Sequence, residues 1–171
     1  MSFKTIATLA AAALVAASSF AQQPTARDTV PDNMGFNIPY GAPISLERAN
    51  AALAAAVAEA RKHNWPMNMA VVDSGNNLVA FNRMDGAQLA SIQVSQHKAH
   101  AALGYRRETK VFENGVQEGN LPYLLTLDGL IASRGGIPLV EGGKIIGAIG
   151  CSGGSGSQDE VVCKAGAATV K

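Results

Sequence analysis

"MNMAVVDSGNNLVAFNR", residues 67–83, decides the fold. Residues 67–73 and 77–83 are β-type runs, and Ser74, Gly75 and Asn76 between them can take the left-handed backbone that a tight hairpin needs. Strands joined this closely run antiparallel, because a parallel pair needs a crossover of about a dozen residues or more. "GIPLVEGGKIIGAIG", residues 136–150, repeats the arrangement with Gly142 and Gly143 as its turn. Two hairpins separated by helical sequence predict an α+β domain with an antiparallel sheet, not alternating parallel units.

The intervening segments read as helices. Leu46, Ala49, Leu53, Val57 and Ala60 recur at steps of three and four behind Ser45 as N-cap. Arg61, Lys62 and His63 complement the helix C-terminus, and Pro66 forbids continuation. Residues 88–103 carry the same spacing through Leu89, Ile92, Gln96, Ala99 and Leu103, with weaker helical character over 111–118. A last helix is expected to open at Ser157, with Glu160 completing a capping box.

Residues 1–21 read as a signal peptide: an early Lys4, an apolar run from Ile6 to Ala17, and small residues at Ser19 and Ala21. Residues 22–44, with Pro24, Pro31, Pro39 and Pro43, read as an extended arm or a disordered leader, and Met34, Phe36, Ile38 and Tyr40 suggest that its second half packs on something; residues 45–171 read as a single domain. A periplasmic or secreted location follows, with no further membrane insertion. Apart from Lys4 the basic and acidic residues balance at thirteen each. A neutral chain has no electrostatic attraction to nucleic acid. The spacing of Cys151 and Cys163 allows a disulfide or two separately buried thiols.

Candidate chemistry is sparse. Gly150, Cys151, Ser152, Gly153 and Gly154 match G-x-S-x-G, but no histidine follows position 100 and no parallel sheet is expected, so Ser152 reads as a turn residue. The glycines there suit backbone that turns sharply or approaches a neighbour closely. His97 and His100, three apart on one helix, form a candidate metal pair. Arg106 and Arg107 at the helix exit, beside Thr109, form a carboxylate-binding corner. Asp73, Arg83, Asp85 and Arg106 compose an alternative site for a small carboxylate such as a hydroxy acid. No catalytic residue is assigned.

"NIPYGAPISLERA", "MAVVDSGNNLVAFNRMDGAQLAS", "HKAHAALGYRRETKVF" and "RGGIPLVEGGKIIGAIGCSGGSGSQDE" together resemble the GlcG/HbpS family of haem-binding and haem-degrading-type proteins, which is similar to the C-terminal domain of PduO proteins. The resemblance covers residues 37–168. It implies a profilin-like or PAS-like sandwich, homo-oligomers, and binding of haem or a related tetrapyrrole in an exported protein that is non-enzymatic or weakly haem-degrading. It further implies that Thr109 contributes to haem binding, with Arg106 and Arg107 for the propionates and His97 or His100 as an imidazole ligand. Glu108 departs from the family pattern, standing where a proline precedes the threonine. An oligomeric signalling or structural partner is a further alternative.

Overall fold

The computed structural model describes residues 30–170. The expected signal peptide and the first part of the arm lie outside those residues. Residues 30–34 fall in a unit of their own, and the folded body begins at Gly35. The body contains α1 (Leu46–Lys62), β1 (Asn68–Asp73), β2 (Leu78–Arg83), α2 (Ala90–Gly104), α3 (Lys110–Gln117), a 3-10 turn (Pro122–Thr126), β3 (Gly136–Glu141), β4 (Lys144–Ser152) and α4 (Gly156–Ala167).

The four strands form one antiparallel sheet in the order β2-β1-β4-β3, an α+β architecture. Asn76 at φ 67° turns the first hairpin, while Gly142 and Gly143, at φ 53° and 74°, turn the second. Beyond the end of β1 the arm takes over its place beside β4: Ile145 N–H donates to Pro39 O at 2.8 Å, and Gly41 N–H to Ile145 O at 2.7 Å.

Each sheet face carries its own core. On one side α1 and α4 bury Leu53, Met67, Met69, Leu139, Ile149 and Val162. Ser45 caps α1 as expected, accepting from Arg48 N–H. On the other side α2 covers Ala70, Val72, Ile145 and Ala148 with Ala99, Ala102 and Leu103.

The approach of α2 explains the glycines. Gly136 and Gly150 are direct partners across β3 and β4. A Cβ on Gly150 would collide with Ser95 O and Ala99 N, and one on Gly136 with Lys98 O. The helix backbone therefore rests on the sheet backbone, and only small residues fit beneath it. The buried face of α2 accordingly runs through Ser91, Ser95, Ala99 and Ala102. Leu89, expected among its buried positions, is 73% exposed.

The entry to α4 also differs from expectation. Ser155, not Ser157, is the N-cap, and Gln158, not Glu160, closes the capping box. Glu160 is drawn instead into a cluster with Lys110, Lys164 and Arg134. Folding α4 back across the end of β4 places Cys151 and Cys163 with Cα atoms 5.5 Å apart, and they form a disulfide. With twelve residues of sequence separation this crosslink stabilises the fold by roughly 3 kcal/mol in the chain-entropy model.

Candidate functional site

α2 ends at Gly104, and the chain turns through Arg106 in the left-handed region at φ 55° before entering α3. That turn carries both arginines onto the rim of a cavity of about 390 Å³. Phe36 and Ile38 of the arm, Val111 of α3, and Ile137, Pro138 and Val140 at the β3 edge give it apolar walls. Phe36 and Ile38, from the second half of the arm, line this cavity, whereas Met34 falls in the other unit and is exposed.

The Arg107 guanidinium lies over the Phe36 ring, 3.5 Å from its centroid, and its Nε donates to Tyr105 O at 3.0 Å. Arg106 lies 5.8 Å from the centroid of Tyr40, whose hydroxyl donates to Leu103 O at 3.0 Å. Neither arginine has a carboxylate partner among the described residues. Burial, and then the charge of Arg106, hold the Arg107 guanidinium below its ordinary value. Two half-buried cations without a counter-charge on an apolar rim favour an anion attached to an apolar body. Glu108 also lines the rim, but it stands 4.0 Å from Lys164 Nζ, which offsets its charge.

Thr109 is fully buried. Its hydroxyl accepts from Gly136 N–H at 2.9 Å, and its own N–H donates to Gly136 O at 3.0 Å. It fastens the start of α3 to the strand that forms the cavity floor.

The histidines lie elsewhere. His97 and His100 line a separate cavity of about 300 Å³ with Gln93, Val94 and Gln96. His100 Nδ1 is 2.9 Å from Asn76 Oδ1 in the β1–β2 turn. Burial, and then the nearby His97, lower its imidazole from the ordinary value. The β1–β2 turn and β3 belong to opposite margins of the sheet, so the histidines and arginines are not brought together.

The alternative constellation is likewise divided. Arg83 and Asp85 line a cavity of about 370 Å³ with Arg61, whereas Arg106 belongs to the apolar cavity. The Asp73 carboxylate is committed to its own hairpin, accepting from the backbone N–H groups of Gly75 and Asn77. Asp73, Arg83, Asp85 and Arg106 therefore do not form one site, because the hairpin and the α2 exit carry them to different places. The glycine turn is also outside the arginine cavity: Gly153 packs on Pro66 and Met67 instead. Ser152 is buried with its hydroxyl donating to Ser91 Oγ at 3.1 Å, as a turn residue rather than a nucleophile.

Sequence reasoning missed the cavity walls. Ile137, Pro138 and Val140 read only as strand, and the arm was the one sign that apolar residues would meet them.

Comparison with known proteins settles the family. The model described as "Haem degrading protein HbpS-like" matches residues 44–168. The chain belongs to the HbpS-like family. It is 42% identical to Protein GlcG of Escherichia coli K12 over 109 residues, 64% of this chain and 81% of that protein. Among solved structures, it is similar to a double mutant of HbpS from Streptomyces reticuli, with TM-score 0.71 and 30% identity, covering 84% of this chain and 97% of that one. It is also similar to a PduOC:heme complex, with TM-score 0.68 and 26% identity, covering 75% of this chain and 96% of that one. Haem binding is thereby supported at the level of the family.

Proposed function

We propose that this protein binds haem, or a related tetrapyrrole carrying carboxylates, in the apolar cavity rimmed by Arg106 and Arg107. The observation that carries the reading is the half-buried arginine pair, without a carboxylate partner among the described residues, beside Phe36, Val111 and Val140. The apolar walls take one face or edge of the ring, and the guanidinium groups take the propionates in charge-assisted hydrogen bonds. Thr109 supports the floor of the site through Gly136. Bound haem would supply redox-active iron; the chain's own residues hold the ring and its carboxylates. The fit is to the ring and propionates, since Lys110 is the one nitrogen base among the lining residues besides the arginines, and it is paired with Glu160.

The protein acts outside the cytoplasm as a homo-oligomer. Residues 1–21 support export, and so does the disulfide, which persists in oxidising compartments. Exposed Tyr123, Leu125 and Leu127 support burial against another copy. No helix of the described residues is long and apolar enough to cross a membrane.

Hemin titration tests the reading. The wild type should give a saturable Soret shift, and Arg106→Gln combined with Arg107→Gln should weaken binding about tenfold or more, one lost charge-assisted hydrogen bond sufficing for that factor. A folded wild type that leaves the hemin spectrum unchanged would contradict it.

A further inference from the structure

The polar stripe on α2 has no part in haem binding as proposed above, yet it is organised. Gln93, Gln96, His97 and His100 stand at i, i+3, i+4 and i+7, so they share one helix face, and all four line the same cavity. His100 is the ordered member. Asn76 Oδ1 can only accept, so the 2.9 Å contact places the proton on Nδ1 and leaves the Nε2 lone pair unused. Asn76 is itself fixed: its φ of 67° and its N–H bond to Asp73 O at 3.0 Å belong to the hairpin turn. Asp73 then braces the turn through Gly75 and Asn77. His100 lines the cavity, and a carbonyl oxygen that fixes one of its ring nitrogens while the other has no partner among the described residues is the outer-shell arrangement of a ligating histidine.

The neighbouring donors complete the pattern. The His97 side chain is exposed and has no hydrogen-bond partner among the described residues. Gln96 spends its amide N–H on Ile92 O at 3.2 Å, which leaves its side-chain oxygen available. No carboxylate lines the cavity. Two imidazoles with amide oxygens suit a borderline divalent ion such as Cu²⁺ or Zn²⁺, whereas Ca²⁺ and Mg²⁺ are hard ions that take oxygen ligands in preference to imidazole nitrogen.

We infer that His97 and His100, with Asn76 holding His100, form a transition-metal site separate from the arginine cavity, its remaining positions filled by glutamine oxygens or water. The site stands independently of haem. In the sheet order β2-β1-β4-β3, His100 reaches the β1–β2 turn, while the arginine cavity is walled by β3.

Calorimetric titration of the untagged chain with CuCl₂ and ZnCl₂ tests this, with CaCl₂ as control. One saturable site is expected for Cu²⁺, which should bind more tightly than Zn²⁺, and none for Ca²⁺. His97→Ala and His100→Ala should each weaken Cu²⁺ binding by tenfold or more. Asn76→Gly, which keeps the left-handed turn but removes the acceptor, should weaken it about tenfold with the apo unfolding midpoint unchanged, and Asn76→Asp should restore it. The Cu²⁺ EPR spectrum should show superhyperfine splitting from imidazole nitrogens. Unchanged affinity in the His97→Ala, His100→Ala double variant, a spectrum with oxygen ligands alone, or no Cu²⁺ binding by the folded wild type would each overturn the assignment. Loss of metal binding with hemin binding intact is the expected result for that double variant, which separates this site from the haem reading.

Discussion

Gly150 and Gly136 show how much of the architecture rests on absent side chains. They face each other across β4 and β3, and the Ser95, Lys98 and Ala99 backbone of α2 occupies the space their Cβ atoms would need. A methyl at Gly150 meets helix backbone, which cannot rotate away as a side-chain tip would. Gly150→Ala is therefore expected to destabilise the protein by about 3 kcal/mol, the upper end of core overpacking. Gly104, with open space around it in the last turn of the same helix, should tolerate alanine with a small gain in stability. Denaturant unfolding midpoints of the two variants check both; equal midpoints would contradict the close contact. The same contact explains why G-x-S-x-G occurs here without a nucleophile: its first glycine serves the helix above it and its serine bonds Ser91.

Between elements, polar clasps do what the two cores do not. Lys98 and Asp159, both almost wholly buried, join α2 to α4 at 2.7 Å. Burial pushes the Asp159 carboxyl up, against the lowering effects of Lys98 and the Gly154 and Gly153 N–H groups. Glu160 joins α4 to α3 through Lys110, and Lys164 one turn along α4 also bonds it. Burial disfavours its charge, but those hydrogen bonds and charges outweigh it, leaving its carboxyl below the ordinary value. A lowered acid stabilises the fold fully above its unfolded value of about 4.3, and that contribution disappears as the pH falls through the lower native value. Glu160→Gln should thus lower the thermal midpoint at neutral pH and shrink its difference from wild type in strong acid. A difference that persists unchanged down to about pH 2, below both values, would contradict the clasp.

The elements differed in how plainly their residues announced them. Both hairpins were legible because Asn76 and the Gly142–Gly143 pair sit where positive φ is required. α1 was legible because its alanines and Leu53 face a thick core at helical spacing. The buried side of α2 was not, since Leu89 and Ile92 suggest a face that tight packing on glycine replaces with Ser91, Ser95 and Ala99. The N-cap of α4 was misplaced because Glu160 suits a capping box locally while distant Lys110 and Arg134 claim it in the fold. Of the candidate site, the arginine corner and the histidine pair were visible from residue type and spacing. Their separation depends on strand order, which no local pattern encodes.

At the scale of the molecule, one sheet keeps two different cavities apart. The β3 margin offers apolar walls and two guanidinium groups, and α2 offers an imidazole pair of which His100 is held by the Asn76 amide of the β1–β2 turn. We propose a tetrapyrrole as the occupant of the first, a reading that membership of the HbpS-like family supports. A crystal structure of the hemin complex tests that claim most directly. The ring should lie against Phe36, Val111 and Val140, with its propionates within hydrogen-bond distance of Arg106 and Arg107. Haem bound instead at His97 and His100, or propionates turned to solvent away from both arginines, would contradict it.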